Sequence, residues 1–367
     1  MRRKPTGKAA NPMRARDEKL LQKLAVYLNF HADAVTEADV RALSSEFSLP
    51  GAQAFALLLA GTLGLDAAEN EEDARTVRED FPRMLHPLDA AAYANDPYAR
   101  ALRAAASREQ SLPDKPTDPA AHSHASRAAL SREDISQTLH PRCAAADAGA
   151  PRESNADGHE DASRTRRSRN TLGRENASQA GAFELGYASY RPYELFVADD
   201  LRAYPDGAVL PVLGYFAQPF AYPVLTENGR EWMTATPNEI NTIRPMAEAA
   251  HGHVLTLGLG LGYFAFHALL NPRVERVTAV ERSADAIRLF RERILPAFPR
   301  PERLTILQAD AFAAAPALYQ SGQYDFVFAD LWHDAADGLP MYERLKQMEV
   351  PGPEYRYWIE KTLEFYR

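Results

Sequence analysis

The chain has 367 residues, a formal net charge of −8 and a pI near 5.7, which argues against general nucleic-acid binding. Its one cysteine, Cys143, excludes an intrachain disulfide and a zinc cluster of the cysteine type. The sequence holds no apolar run of membrane-spanning length and no secretory core region, so the expectation is a cytoplasmic protein without membrane association.

In chain order, residues 1–16 carry six basic residues and no acid, and read as a disordered basic tail. Residues 17–105 read as a helical domain. Asp17 to Phe30 places Leu20, Leu21, Leu24 and Leu28 on one helical face. Thr36 to Asp39 has capping-box spacing and starts a helix that buries Val40, Leu43 and Phe47. Pro50 opens a third helix through Leu63. Asp73 to Leu85 and Pro97 to Leu102 read as two more, with Asp96 as the N-cap of the latter. A homodimer contact, a substrate lid and a partner dock all fit this domain.

Residues 106–181 contain no Phe, Trp, Tyr or Val and a single Ile. Such a segment cannot bury enough apolar surface to offset its ordering entropy, and it reads as a disordered insertion or linker. His122, His124, His140 and Cys143 lie in it with no metal-ligand spacing. From 182 to 235 the chain is aromatic and strand-like, a small β unit. Asn228-Gly229 between Tyr222–Thr226 and Glu231–Thr234 signals a hairpin. Thr236-Pro237-Asn238-Glu239 is a helix start with Thr as N-cap, Pro at N1 and Glu at N3. Thr236, Asn238 and Asn241 are placed to touch a ligand, although capping alone explains Thr236 and Glu239.

The remaining stretch, 236–367, is organised around His253 to Phe264. Val254 to Leu257 reads as a buried strand, Gly258, Gly260 and Gly262 follow at alternate positions, and Tyr263 to Leu270 reads as a helix. A strand that turns through glycines into a helix brings bare backbone N–H groups near a ligand. A second strand ends at Glu281, about twenty positions on, where an acid suits a grip on ribose hydroxyls. A third, Leu304 to Leu307, leads to Asp310-Ala311, where an acid can accept from an adenine amino group. A fourth, Tyr324 to Ala329, leads to Asp330-Leu331-Trp332-His333-Asp334. Strands alternating with helices predict an α/β fold with a parallel sheet, and ligands bind beyond the carboxyl ends of such strands.

Residues 253–334 resemble the class I S-adenosylmethionine-dependent methyltransferase fold, and within it the spermidine synthase-like branch. The resemblance rests on Val254 to Gly262, Val274 to Glu281 and Tyr324 to Asp330. It implies a Rossmann-like sheet, with S-adenosylmethionine as cofactor. By position, Gly258, Gly260 and Gly262 would hold the methionine part, Glu281 the ribose, and Asp310 with Ala311 the adenine. It also implies transfer to a small-molecule amine or hydroxyl, with Asp330 orienting the acceptor and His333 or Asp334 acting as base. A dinucleotide-binding domain ranks lower, because Tyr263 stands where the Gly-x-Gly-x-x-Gly fingerprint would place its last glycine.

The chain departs from the polyamine synthases of that branch. The glycine turn holds Leu259 and Leu261 where they carry an acid, and Leu331-Trp332-His333 are bulkier than their loop residues after strand four. Methyl transfer is therefore the first expectation. Aminopropyl transfer and a non-catalytic nucleoside-binding, partner-docking protein are the alternatives. Four strands are counted, so the sheet reads as shortened at its C-terminal side, and Glu354 to Tyr366 reads as one helix.

Overall fold

The computed structural model describes residues 22–65, 76–110, 178–180 and 183–367. The basic tail, Cys143 and the histidines at 122, 124 and 140 lie outside these residues, as does most of the expected insertion.

The N-terminal helices start at their local signals, but of the residues expected to be buried by the second one only Val40 is, and Phe47 is 60% exposed. The hydroxyl of Thr36 caps Glu37–Phe47 while the Asp39 carboxylate accepts from the Thr36 N–H at 2.9 Å, the reciprocal pair of a capping box. Gly51–Thr62 buries Ala54, Phe55, Leu59 and Ala60. Two elements differ from expectation. Asp73 to Leu85 is not one helix among the described residues. A π-turn over Thr76–Asp80 leads into the short helix Phe81–Met84, and Leu85–Pro87 becomes strand β1, paired in parallel with a strand far along the chain. Its non-local partner explains why local periodicity misreads it. Pro97–Gln110 is a single helix that runs past Leu102.

The β unit comprises β2 (Ser178–Ala180), β3 (Phe183–Tyr190), β4 (Phe196–Ala203), β5 (Val209–Tyr215), β6 (Phe220–Glu227) and β7 (Arg230–Thr234). It forms two small sheets, ordered β1-β5-β4 and β2-β3-β6-β7. The β6–β7 turn has Asn228 at φ 51° and Gly229 at φ 76°, the two positive values a tight hairpin of this hand requires.

The third sheet carries β8 (Gly252–Leu257), β9 (Val274–Glu281), β10 (Leu304–Gln308), β11 (Phe326–Ala329) and β12 (Glu354–Tyr357). All its pairs are parallel, and the order is β10-β9-β8-β11-β12. The central strands β8 and β11 are buried on both faces, which is why they read as continuous apolar runs. The fifth strand corrects the expectation of a helix from Glu354. Glu354–Tyr357 alternates polar and aromatic residues, pairs along β11 from Phe326↔Glu354 to Ala329↔Tyr357, and buries Tyr357. Ile359 then takes the left-handed conformation (φ 46°) and only Glu360–Tyr366 is helical. The fold is a Rossmann-like α/β sheet preceded by a β unit and helices.

The register aligns the strand tips. The Gly258 N–H donates to the Val280 carbonyl at 2.9 Å, Ala309 to Glu281 at 3.0 Å, and Asp330 to Leu257 at 2.9 Å. Gly258, Glu281, Asp310 and Asp330 therefore gather along one edge.

Candidate functional site

The glycine turn sits at the centre of that edge. Gly258, Gly260 and Gly262 have φ of +96°, +48° and +77°. A side chain at any of them would strike protein. A Cβ at 258 would lie 2.1 Å from the Asp330 carbonyl oxygen, at 260 2.6 Å from Met233, and at 262 2.5 Å from Phe290. The glycines are thus required by backbone conformation and by neighbours from β7, β11 and the segment after β9. Leu259 and Leu261 are buried, and the Tyr98 hydroxyl donates to the Leu261 carbonyl, tying the helix Pro97–Gln110 to the turn.

Glu281 is 7% exposed, and its Oε1 accepts from the Ser283 N–H at 2.9 Å. Asp310 is exposed and serves as N-cap of the helix Ala311–Gln320, accepting from the Ala313 N–H at 2.9 Å, while Ala311 is buried. Asp334 is likewise an N-cap. Its Oδ1 accepts from the Ala336 N–H at 2.7 Å in a capping box with Asp337, so this carboxylate is engaged with the start of Ala335–Lys346. His333 is exposed and its Nδ1 lies 3.0 Å from Asp337. The hydrogen bond to Asp337 raises its pKa above the usual imidazole value and favours the charged ring. Trp332 is buried, and its indole nitrogen has no hydrogen-bond partner among the described residues.

Asp330 has a different character. Burial, reinforced by the nearby Glu239 carboxylate, pushes its carboxyl up to about 8, with His333 opposing the rise. Glu239, at the start of Pro237–Ala249, accepts from the Thr234 hydroxyl at 2.6 Å and from the Thr236 N–H at 2.9 Å. Burial pushes it up to about 7 against those hydrogen bonds. Two acids with neutral-range pKa values thus share the space beside the glycine turn. Asn241 is engaged elsewhere, donating to the Ala198 carbonyl at 2.8 Å and bonding the Tyr93 hydroxyl.

Sequence reasoning missed Glu239 as a site acid, because its capping spacing accounts for it fully; only the packing of β7 against the helix start encloses it. It also missed Trp232, whose indole contacts both Arg282 (5.4 Å to the ring centroid) and His333 (centroids 5.6 Å apart). Among the described residues no group of His, Cys, Asp or Glu is arranged to hold a metal, and no helix is long and apolar enough to cross a membrane.

No family description matches the sequence, and no curated protein does. Among solved structures, a probable spermidine synthase from Corynebacterium glutamicum matches with 17% identity over 49% of this chain and 62% of its own, at a TM-score of 0.29. The spermidine synthase from Thermotoga maritima matches with 15% identity over 49% of this chain and 54% of its own, also at 0.29. The match spans less than two thirds of either structure. The strand pairing of this chain itself defines the fold as Rossmann-like α/β, and spermidine synthases are among the solved structures it resembles.

Proposed function

We propose that this protein is a transferase that takes an alkyl group from an S-adenosyl sulfonium and delivers it to a small cationic amine, with decarboxylated S-adenosylmethionine as the preferred donor. The observation that carries the reading is the acid pair Asp330 and Glu239 beside the glycine turn. Two neighbouring carboxyls that disfavour each other's charge ionise together more readily near neutral pH when a cation joins them, so the pair suits an ammonium group. The same pair disfavours a donor that brings its own carboxylate into that space. Glu239, arriving from the preceding helix, offers the acid that the glycine turn lacks.

In this reading Glu281 grips the ribose, Asp310 and Ala311 border the adenine, and Gly258 to Gly262 border the sulfur-bearing chain. The acceptor nitrogen, deprotonated toward Asp330, attacks the carbon on sulfur; the C–N bond forms, the C–S bond breaks, and a neutral thioether leaves. His333 stands by as a cationic neighbour that opposes the rise of the Asp330 carboxyl and so favours its loss of a proton. Methyl transfer from S-adenosylmethionine is the second reading, favoured by Leu259 and Leu261 in the turn.

Calorimetric titration tests this. Decarboxylated S-adenosylmethionine is expected to bind more tightly than S-adenosylmethionine, with binding weakened by Glu281→Ala and the preference reduced by Asp330→Asn. Equal or tighter binding of the carboxylated form would move the assignment to methyl transfer. Binding of neither would remove the nucleoside site.

A further inference from the structure

The position of Trp232 follows from the sheet order. Arg282 is the residue just past the tip of β9, and His333 lies in the loop just past the tip of β11. The strand between those two is β8, whose tip is the glycine turn. The Trp232 indole reaches both flanks, with the Arg282 guanidinium over its face and the His333 ring edge-on at 81°. Its neighbour Met233 packs on Gly260. The hairpin β6–β7 therefore sets Met233 on the glycine turn and brings the Trp232 indole to the strand tips on either side of it. Phe183 of β3 meets that indole in a T-shaped contact, with ring centroids 5.9 Å apart.

An indole face carries negative quadrupole density and attracts a cation within about 6 Å of its centroid. In the free protein Arg282 supplies that cation. We infer that Trp232 is a binding residue for the positive sulfur of the donor, which takes the place of the Arg282 guanidinium over the indole face. This rests on the nucleoside reading above and deepens it. Transfer converts the sulfonium into a neutral thioether, so the indole loses its cation at the moment the C–S bond breaks. Trp232 thus discriminates donor from spent product, and Arg282 returns to the face as the product departs.

The test compares decarboxylated S-adenosylmethionine with decarboxylated S-adenosylhomocysteine, which differ by one methyl and the charge on sulfur. Their Kd ratio is measured for the full chain, Trp232→Phe and Trp232→Leu, with melting temperatures to confirm folding. Cation–π attraction predicts that Trp232→Leu lowers the sulfonium preference about 2- to 30-fold while the thioether Kd stays nearly fixed, and that Trp232→Phe keeps most of the preference. Equal weakening of both ligands, or an unchanged ratio in Trp232→Leu, would overturn the inference. If the wild-type chain binds neither nucleoside, the transferase reading fails, and a trimethylsulfonium titration then decides the cation site by itself. A saturable indole fluorescence change lost in Trp232→Leu would support it, and no change would overturn it.

Discussion

Asp330→Asn isolates the electrostatics of the acid pair. In the folded protein the Asp330 carboxyl is held up to about 8, against an ordinary 3.8, by burial and by Glu239. A group with a raised folded pKa contributes stability that is fully present below its unfolded pKa and is lost as pH rises through the folded value. At ~1.4 kcal/mol per pH unit, a rise of this size puts the loss between pH 4 and pH 8 at no more than ~6 kcal/mol. Asp330 retains some exposed surface and water can reach it, so the expected loss is on the order of 2–3 kcal/mol. Asparagine has the same shape and cannot ionise. Thermal melts at pH 5, 7 and 9 should therefore show the variant close to wild type at pH 5 and more stable by about 5–10 °C at pH 9. A diamine added at pH 9 should close that gap by stabilising the wild type alone. A wild-type-to-variant difference that is the same at all three pH values would mean that Asp330 is already ionised in the folded chain, and the argument for an ammonium partner would fail.

Other substitutions probe the frame around the site. Gly258→Ala adds a Cβ 2.1 Å from a backbone oxygen that strand pairing holds in place, at φ +96°, and should destabilise the chain by about 3 kcal/mol or more, read as a lower urea midpoint. Asn271→Ala removes an amide that donates to the carbonyls of Ala247, Glu248 and Ala250; a loss of about 1–3 kcal/mol and faster hydrogen exchange in the last turn of Pro237–Ala249 are expected. Asp200→Ala removes the carboxylate from β4 that accepts the Lys361 and Thr362 N–H groups; about 1 kcal/mol of stability should be lost, with proteolytic nicking concentrated near Glu360–Tyr366. Unchanged exchange or proteolysis in the last two would refute the respective caps.

Features that depend on near neighbours along the chain are legible in the sequence. Thr36 and Thr236 begin helices because a hydroxyl, a nearby N–H and an acid three residues on satisfy one another locally. Asn228-Gly229 turns a hairpin because those two residues tolerate positive φ. The apolar runs of β8 and β11 announce central parallel strands because both faces are covered, and they deliver Gly258 and Asp330 to one edge. Tertiary structure decided the rest. Glu354–Tyr357 is a strand because β11 offers an unpaired edge, and Leu85–Pro87 because β5 does, partners that no window of sequence contains. Glu239 is a helix cap in sequence and a half-buried site acid in space, where its charge acts on Asp330, a residue far along the chain. Trp232 reads as one more strand aromatic until the sheet order sets the tips of β9 and β11 on either side of the glycine turn and brings Arg282 and His333, one from each tip, to the indole. Hydrogen bonding and backbone preference act over a few residues and are written locally; burial, charge coupling and ring contacts arise only when distant segments pack.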